Sequence, residues 1–196
     1  MTAYTSPPAG ATTICVDELG PVIPRTFPPA PGWSPTGHRI HAPLEYSRGP
    51  EKVWVYGALR VRDGQARTLT TRSRNTAGYR QLLEAIAAAN PVGDLYLISD
   101  TRSSHKRPPI QAWLAENPRV RHVCIPVGAC WLKLQEAWWR IFRRSAFAGQ
   151  SLADAGEIDH ATTVATQRLN ARATPWVWGR PQRPPRVLRQ SFVYRI

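Results

Sequence analysis

Residues 94–100 read DLYLISD, a continuous apolar run closed by Asp100. A run of this kind marks a strand buried on both faces, as in a parallel sheet. Downstream, PPIQAWLAEN (108–117) predicts a short helix whose prolines suit its first turn, and RHVCIPV (121–127) predicts the next strand. Upstream, Tyr79, Leu82, Leu83, Ile86 and Ala87 share one face of a helix predicted from Thr76 to Ala89, and Asn90-Pro91 stops it. Further upstream, VWVYGALRV (53–61) and QARTLTTR (65–72) flank Asp63-Gly64, a tight hairpin turn. TICVD (13–17) is a short apolar strand ending at Asp17.

The proline-laden stretch 21–36 reads as extended and irregular, with Trp33 its surface aromatic, and 38–46 holds a short strand. From about Trp131, the residues Trp131, Leu134, Trp138 and Ile141 recur at helical spacing. A last helix spans 151–171, opened by Ser151 as its cap. A hairpin followed by alternating strands and helices gives an α/β fold, a mixed five-stranded sheet flanked by helices. The hairpin strands are antiparallel, and the strands of Asp17, Asp100 and 121–126 are parallel.

The chain has 196 residues, 42% of them hydrophobic, enough for one full-sized domain. No apolar run is long enough to span a membrane, and MTAYTSPPAGATT lacks the regions of a signal peptide. Cys15, Cys124 and Cys130 are odd in number and set among apolar residues, which reads as reduced core or near-core thiols in a cytoplasmic protein. No CxxC is present and the histidines do not pair with the cysteines, so zinc is not expected. The net charge is +13, and no acid follows Asp159 while arginines run on to Arg195. This excess favours a polyanionic partner.

Asp17 and Asp100 both stand at strand carboxyl ends, where the active sites of such sheets lie. Glu136, in WLKLQEAWW (131–139), follows Asp100 after 35 intervening residues. Three carboxylates of this kind suit a hard divalent cation, and two such ions can serve phosphoryl transfer. Glu18 is the rival of Asp17; alternation along a strand lets only one of them face the site. Arg140 lies four residues beyond Glu136 and offers an exposed ion pair as its alternative partner. Lys133, one helical turn before Glu136, is a candidate phosphate contact or a solvated lysine. Arg140, Arg143 and Arg144 form a basic run that can track a nucleic-acid backbone. His105 and Lys106, with Arg102, follow the Asp100 strand as further candidates for DNA contact.

Several blocks in order carry a family resemblance: VDELGP (16–21), PGWSPTG (31–37), VYGALRVRDG (55–64), LISDTRSSHKRPPIQAWLAENPR (97–119), WLKLQEAWW (131–139) and RLNARATPWVW (168–178). Over 13–178 the chain resembles the catalytic core of bacterial insertion-sequence transposases of the mariner-like DDE superfamily. The resemblance implies a ribonuclease-H-like fold and a metal-dependent DNA endonuclease and strand transferase, active in transposition, recombination and integration. It maps the family's metal-binding acids onto Asp17, Asp100 and Glu136, with two Mg²⁺ or Mn²⁺ ions as cofactors. The implied partners are transposon ends and target DNA, and a second copy or a helix-turn-helix chain. A nucleoid-associated place in the cytoplasm goes with these.

The sequence departs from the family in three respects. The first strand begins close to Met1, after a stretch (1–12) that reads as disordered, leaving no room for the usual N-terminal helix-turn-helix. Thr101 stands where the family usually has Asn, and so does Lys133. Residues 179–196 form an Arg/Pro-rich tail. The departures admit a truncated remnant that binds DNA without transposing and interferes with a full-length enzyme. A ribonuclease-H-like nuclease without a transposition role is a third possibility.

Overall fold

The computed structural model describes residues 4, 7–26, 47–48, 50–100, 107–125 and 133–176, with only the backbone of 47–48. Among them run seven strands, β1 (Thr12–Val22), β2 (Arg25–Thr26), β3 (Ser47–Arg48), β4 (Val53–Arg60), β5 (Ala66–Thr71), β6 (Leu95–Ser99) and β7 (Val120–Cys124). Four helices lie wholly within the described residues: α1 (Thr76–Ala89), α2 (Pro108–Glu116), α3 (Leu134–Ala146) and α4 (Ala155–Asn170). The main sheet has the order β5-β4-β1-β6-β7, and β2 and β3 pair apart from it. β1, β6 and β7 are mutually parallel, while β4 is antiparallel to both β1 and β5. This is the mixed five-stranded sheet expected from the sequence.

Alternation along the strands sorts the core into two layers. Ile14 and Val16 of β1 join Tyr56, Ala58, Tyr79, Leu82, Leu83 and Ile86 beneath α1, with Ile110 and Trp113 of α2 beside them. Cys15 and Leu19 point the other way, into a layer with Val55, Leu59, Trp138, Trp139 and Phe142. The second layer is aromatic, and Trp138 stacks on Phe142 with ring centroids 4.9 Å apart.

The caps explain where the helices begin. Asn75 accepts from the Gly78 amide at 2.8 Å and opens α1 at the expected residue. α4 begins later than expected. Asp154, not Ser151, is its cap, accepting from the Glu157 amide while Glu157 accepts from Ala153. The pair resembles a capping box, with Glu157 reaching back one residue further, to the amide before the cap.

α3 starts at Leu134, and its buried stripe runs Leu134, Gln135, Trp138, Trp139, Phe142 and Ala146. Ile141, expected on that stripe, is 49% exposed because Phe142 continues the line from Trp138 and Trp139. Cys124, expected near the core, is exposed on the edge strand, whereas Cys15 is buried. Tyr4, in the stretch read as disordered, packs against the aromatic layer and accepts a hydrogen bond from the Cys15 thiol. Trp33, Trp131, Cys130, the strand expected at 38–46 and the tail at 179–196 lie outside the described residues.

Candidate active site

The sheet register brings the two aspartates together. Cys15 pairs with Ile98 across the parallel β1–β6 ladder, and the same offset sets Asp17 level with Asp100. Paired residues on parallel strands project to one face, so both carboxylates face the α3 side. Glu18, one residue on, projects to the opposite face, among Tyr56 and Tyr79, whose phenols burial and, after it, the Glu18 charge disfavour ionising. Strand alternation thus separates the two rivals, and Asp17 is the one on the aspartate–helix side.

Gly57 brings the helix in. It pairs with Asp17 across the antiparallel β1–β4 ladder. A Cβ at Gly57 would overlap the indole of Trp139, so the missing side chain is what lets α3 close onto the sheet at that level. Seated there, α3 carries Glu136 in its first turn and Lys133 just before it.

Lys133 is the centre of the arrangement. Its Nζ donates to Asp17 Oδ1 at 2.8 Å and lies 3.7 Å from both Asp100 Oδ2 and Glu136 Oε1. Distances of 2.8 and 3.7 Å to one shared nitrogen cap the separation of the Asp17 and Asp100 oxygens at about 6.5 Å. Exposure of the side chains rises across the cluster, from 5% for Lys133 and 9% for Asp17 to 26% for Asp100 and 45% for Glu136. The site therefore has a closed floor and an open acidic rim. Burial pushes the Asp17 carboxyl above the ordinary range against the pull of Lys133. Burial opposes the Lys133 ammonium too, yet Asp17, Asp100 and Glu136 together hold its pKa above the usual lysine value.

Asp17, expected at a strand end, lies inside β1, which runs on to Val22. It converges on one cation with Asp100, just past the end of β6, and the helical Glu136. The family model of the DDE superfamily endonucleases matches residues 12–159, an interval that holds all three acids. The chain belongs to the DDE superfamily endonucleases.

This DDE-family chain is also 31% identical over 91 residues to the insertion element IS630 uncharacterized 39 kDa protein of Shigella sonnei. The match covers 46% of this chain and 26% of that protein, so the chain matches about a quarter of its relative's length. Its fold is similar to that of a chain in the cryo-EM structure of the simian T-cell lymphotropic virus intasome in complex with PP2A regulatory subunit B56 gamma. The TM-score is 0.55 at 13% identity, over 88% of this chain and 56% of that one. At that identity the likeness speaks for the fold, which is ribonuclease-H-like.

DDE endonucleases generally use divalent metal ions, and the donor set can be tested for one. Three carboxylates are the hard oxygen donors that magnesium takes. One ammonium offsets only one of their three negative charges, so the cluster stays anionic. The chemistry fits, but the place is taken: among the described residues no three acid, His or Cys side chains are closed around a metal-sized point. The ammonium stands where their oxygens converge.

The other sequence candidates separate. Lys133 is not solvated; its ammonium faces inward, onto the acids. The ion pair of Glu136 runs back to Lys133, and among the described residues none runs forward to Arg140. Arg140, Arg143 and Arg144 are exposed on α3. Arg102, His105 and Lys106 lie outside the described residues.

Two further residues, Ser99 and His122, support the site in this DDE-family chain, and sequence reasoning missed them. His122 Nε2 lies 2.7 Å from Ser99 Oγ and 2.9 Å from Tyr79 Oη, so strands β6 and β7 and helix α1 share one polar knot next to Asp100. Ser99 and His122 are register neighbours of the apolar runs that predicted their strands, and a polar pair inside such runs was the available signal. Cys15 lies under Asp17 in the same layer. Burial pushes its thiol up to about 11, so it is protonated at neutral pH and no nucleophile. Among the described residues no helix is long and apolar enough to cross a membrane.

Proposed function

We propose that this chain is the catalytic part of a transposable-element DDE transposase, a DNA endonuclease and strand transferase. The observation that carries this is the convergence of Asp17, Asp100 and Glu136 on one cation within a DDE-family domain. The two aspartates and the glutamate are the residues that would hold the divalent ion or the pair of ions, Mg²⁺ or Mn²⁺. What such ions supply is charge at the attacking and leaving oxygens of a phosphodiester.

The chain's own residues do the rest. Asp17, buried at the floor, fixes the position of the site. Ser99 Oγ, which also contacts His122, donates to the Asp100 backbone carbonyl at 3.1 Å. Glu136, the most exposed of the three, lies at the rim where a phosphodiester arrives. Past it, Arg140, Arg143 and Arg144 continue along α3 as contacts for the DNA backbone, and a net charge of +13 favours the approach of the polyanion. No side chain is needed as a covalent nucleophile: water attacks first, and the freed 3′-hydroxyl then attacks target DNA. Transposon ends and target DNA are the substrates, and a second copy or a helix-turn-helix chain is the partner.

A second reading is a DNA-binding relative that no longer transposes, and the ammonium seated among the acids favours it. Plasmid nicking separates the two. Protein with Mg²⁺ or Mn²⁺, supplied with a helix-turn-helix partner, should convert supercoiled plasmid to nicked circles, and EDTA should abolish this. Binding without any cleavage under those conditions favours the second reading.

A further inference from the structure

We infer that Lys133 is a tethered counter-cation that competes with the divalent ion for the acid cluster, so the resting site blocks itself. The inference rests on the metal reading of Asp17, Asp100 and Glu136 given above. Its basis is positional. All three carboxylates approach Lys133 Nζ within 3.7 Å, and the closest, Asp17, is also the most buried. A magnesium ion needs carboxylate oxygens at about 2.0–2.1 Å. An ion bound to these oxygens would therefore sit against the ammonium, like charge on like charge in a largely desolvated pocket. The two cations exclude each other.

The carrier of the ammonium suits displacement. Lys133 precedes the first residue of α3 with an extended backbone, and its side chain caps nothing. Its four-carbon stem can leave the acids without unwinding the helix that carries Glu136. The energetic trade also balances. The departing ammonium removes one positive charge, and the arriving ion brings two to a cluster of three carboxylates. Metal binding is thus coupled to exposure of a buried lysine, and the cation that vacates the floor emerges beside Glu136 at the rim.

The chain's lysines are Lys52, Lys106 and Lys133, so labelled peptides can be assigned without ambiguity. Reductive methylation read by mass spectrometry should modify exposed Lys52 quickly and Lys133 slowly in metal-free buffer. Millimolar Mn²⁺ should speed Lys133 while leaving Lys52 unchanged. In parallel, the electron paramagnetic resonance signal of free Mn²⁺ reports binding. K133N should bind Mn²⁺ roughly tenfold or more tightly than the wild type, since a like charge has left the pocket. K133N/D17N should lose that gain.

Wild-type protein that binds Mn²⁺ as tightly as K133N, through Asp17 and with Lys133 labelling unchanged, overturns the competition and leaves the metal site standing. No Mn²⁺ binding by either form overturns the metal site and the competition with it. The labelling arm uses the wild type alone, so a K133N that folds poorly does not remove the test.

Discussion

Lys133 Nζ lies 2.8 Å from Asp17 Oδ1, and the two residues are 116 positions apart in the chain. This contact joins the start of α3 to the middle of β1 and closes the floor of the acid cluster. Removing the ammonium leaves Asp17 buried without its partner. Truncating one side of a buried ion pair costs about 3–5 kcal/mol. K133M should therefore unfold at clearly lower urea in metal-free buffer, read by circular dichroism. An unchanged midpoint would mean that the contact contributes nothing to the fold.

The acids should separate by role. D100N and E136Q keep shape but remove charge, so plasmid nicking should fall by roughly a hundredfold or more if each holds a catalytic ion, the scale of losing one electrostatic transition-state group. DNA binding should persist in both. E18Q should be much milder, because Glu18 projects to the α1 face. Equal loss from E18Q and D17N would show that the assignment of Asp17 over Glu18 is unsafe.

Gly57→Ala tests how α3 is seated. The added methyl meets the Trp139 ring. Overpacking of a tight core costs typically about 1–3 kcal/mol. The variant should lose stability and, by shifting α3, lose nicking beyond what its folded fraction explains. A fully active, fully stable G57A would show that the close approach is not needed.

The thiols should differ in reactivity. Cys15 is buried with its thiol pushed up to about 11, so it stays protonated and unreactive at neutral pH. Raising the pH toward 11 increases its thiolate fraction, but burial still withholds the sulfur. Cys124 is exposed. Iodoacetamide at pH 8 should label Cys124 in the folded protein and reach Cys15 only in denaturant. Labelling of Cys15 in the native state would contradict its place in the core.

The exposed arginines of α3 should carry salt-sensitive affinity for duplex DNA. Each neutralised phosphate contributes about 0.9 to the slope of log affinity against log salt. Replacing Arg140, Arg143 and Arg144 with glutamine should lower that slope if they contact the backbone. An identical slope would make them a solvated face.

The parts of this protein legible in the sequence are those set by local rules. The α1 stripe and its Asn75 and Asn90 ends lie within one short segment, and the hairpin turn is written in Asp63-Gly64. The end of β6 at Asp100 is legible too, but β1 runs on past Asp17 to Val22, and the level placement of the two acids follows from the β1–β6 register. What escaped depends on contacts between distant segments. The direction of Lys133 is decided by Asp17 on another element, and helical spacing alone leaves the side chain free to face solvent or site. Gly57 reads as a weak point in a strand until Trp139 is seen against it. Phe142 rather than Ile141 continues the buried stripe because the sheet, not the spacing of Trp131 and Leu134, sets the rotation of α3.

The most direct measurement is anomalous diffraction from wild-type crystals soaked to saturation with Mn²⁺. The expected result is a peak bonded to Asp17 and Asp100 carboxylate oxygens, with Glu136 in the same coordination shell and Lys133 Nζ moved off Asp17. A peak bound elsewhere, or Asp17 and Asp100 on opposite faces of the sheet, would contradict the assignment of these three acids as one metal-binding active site.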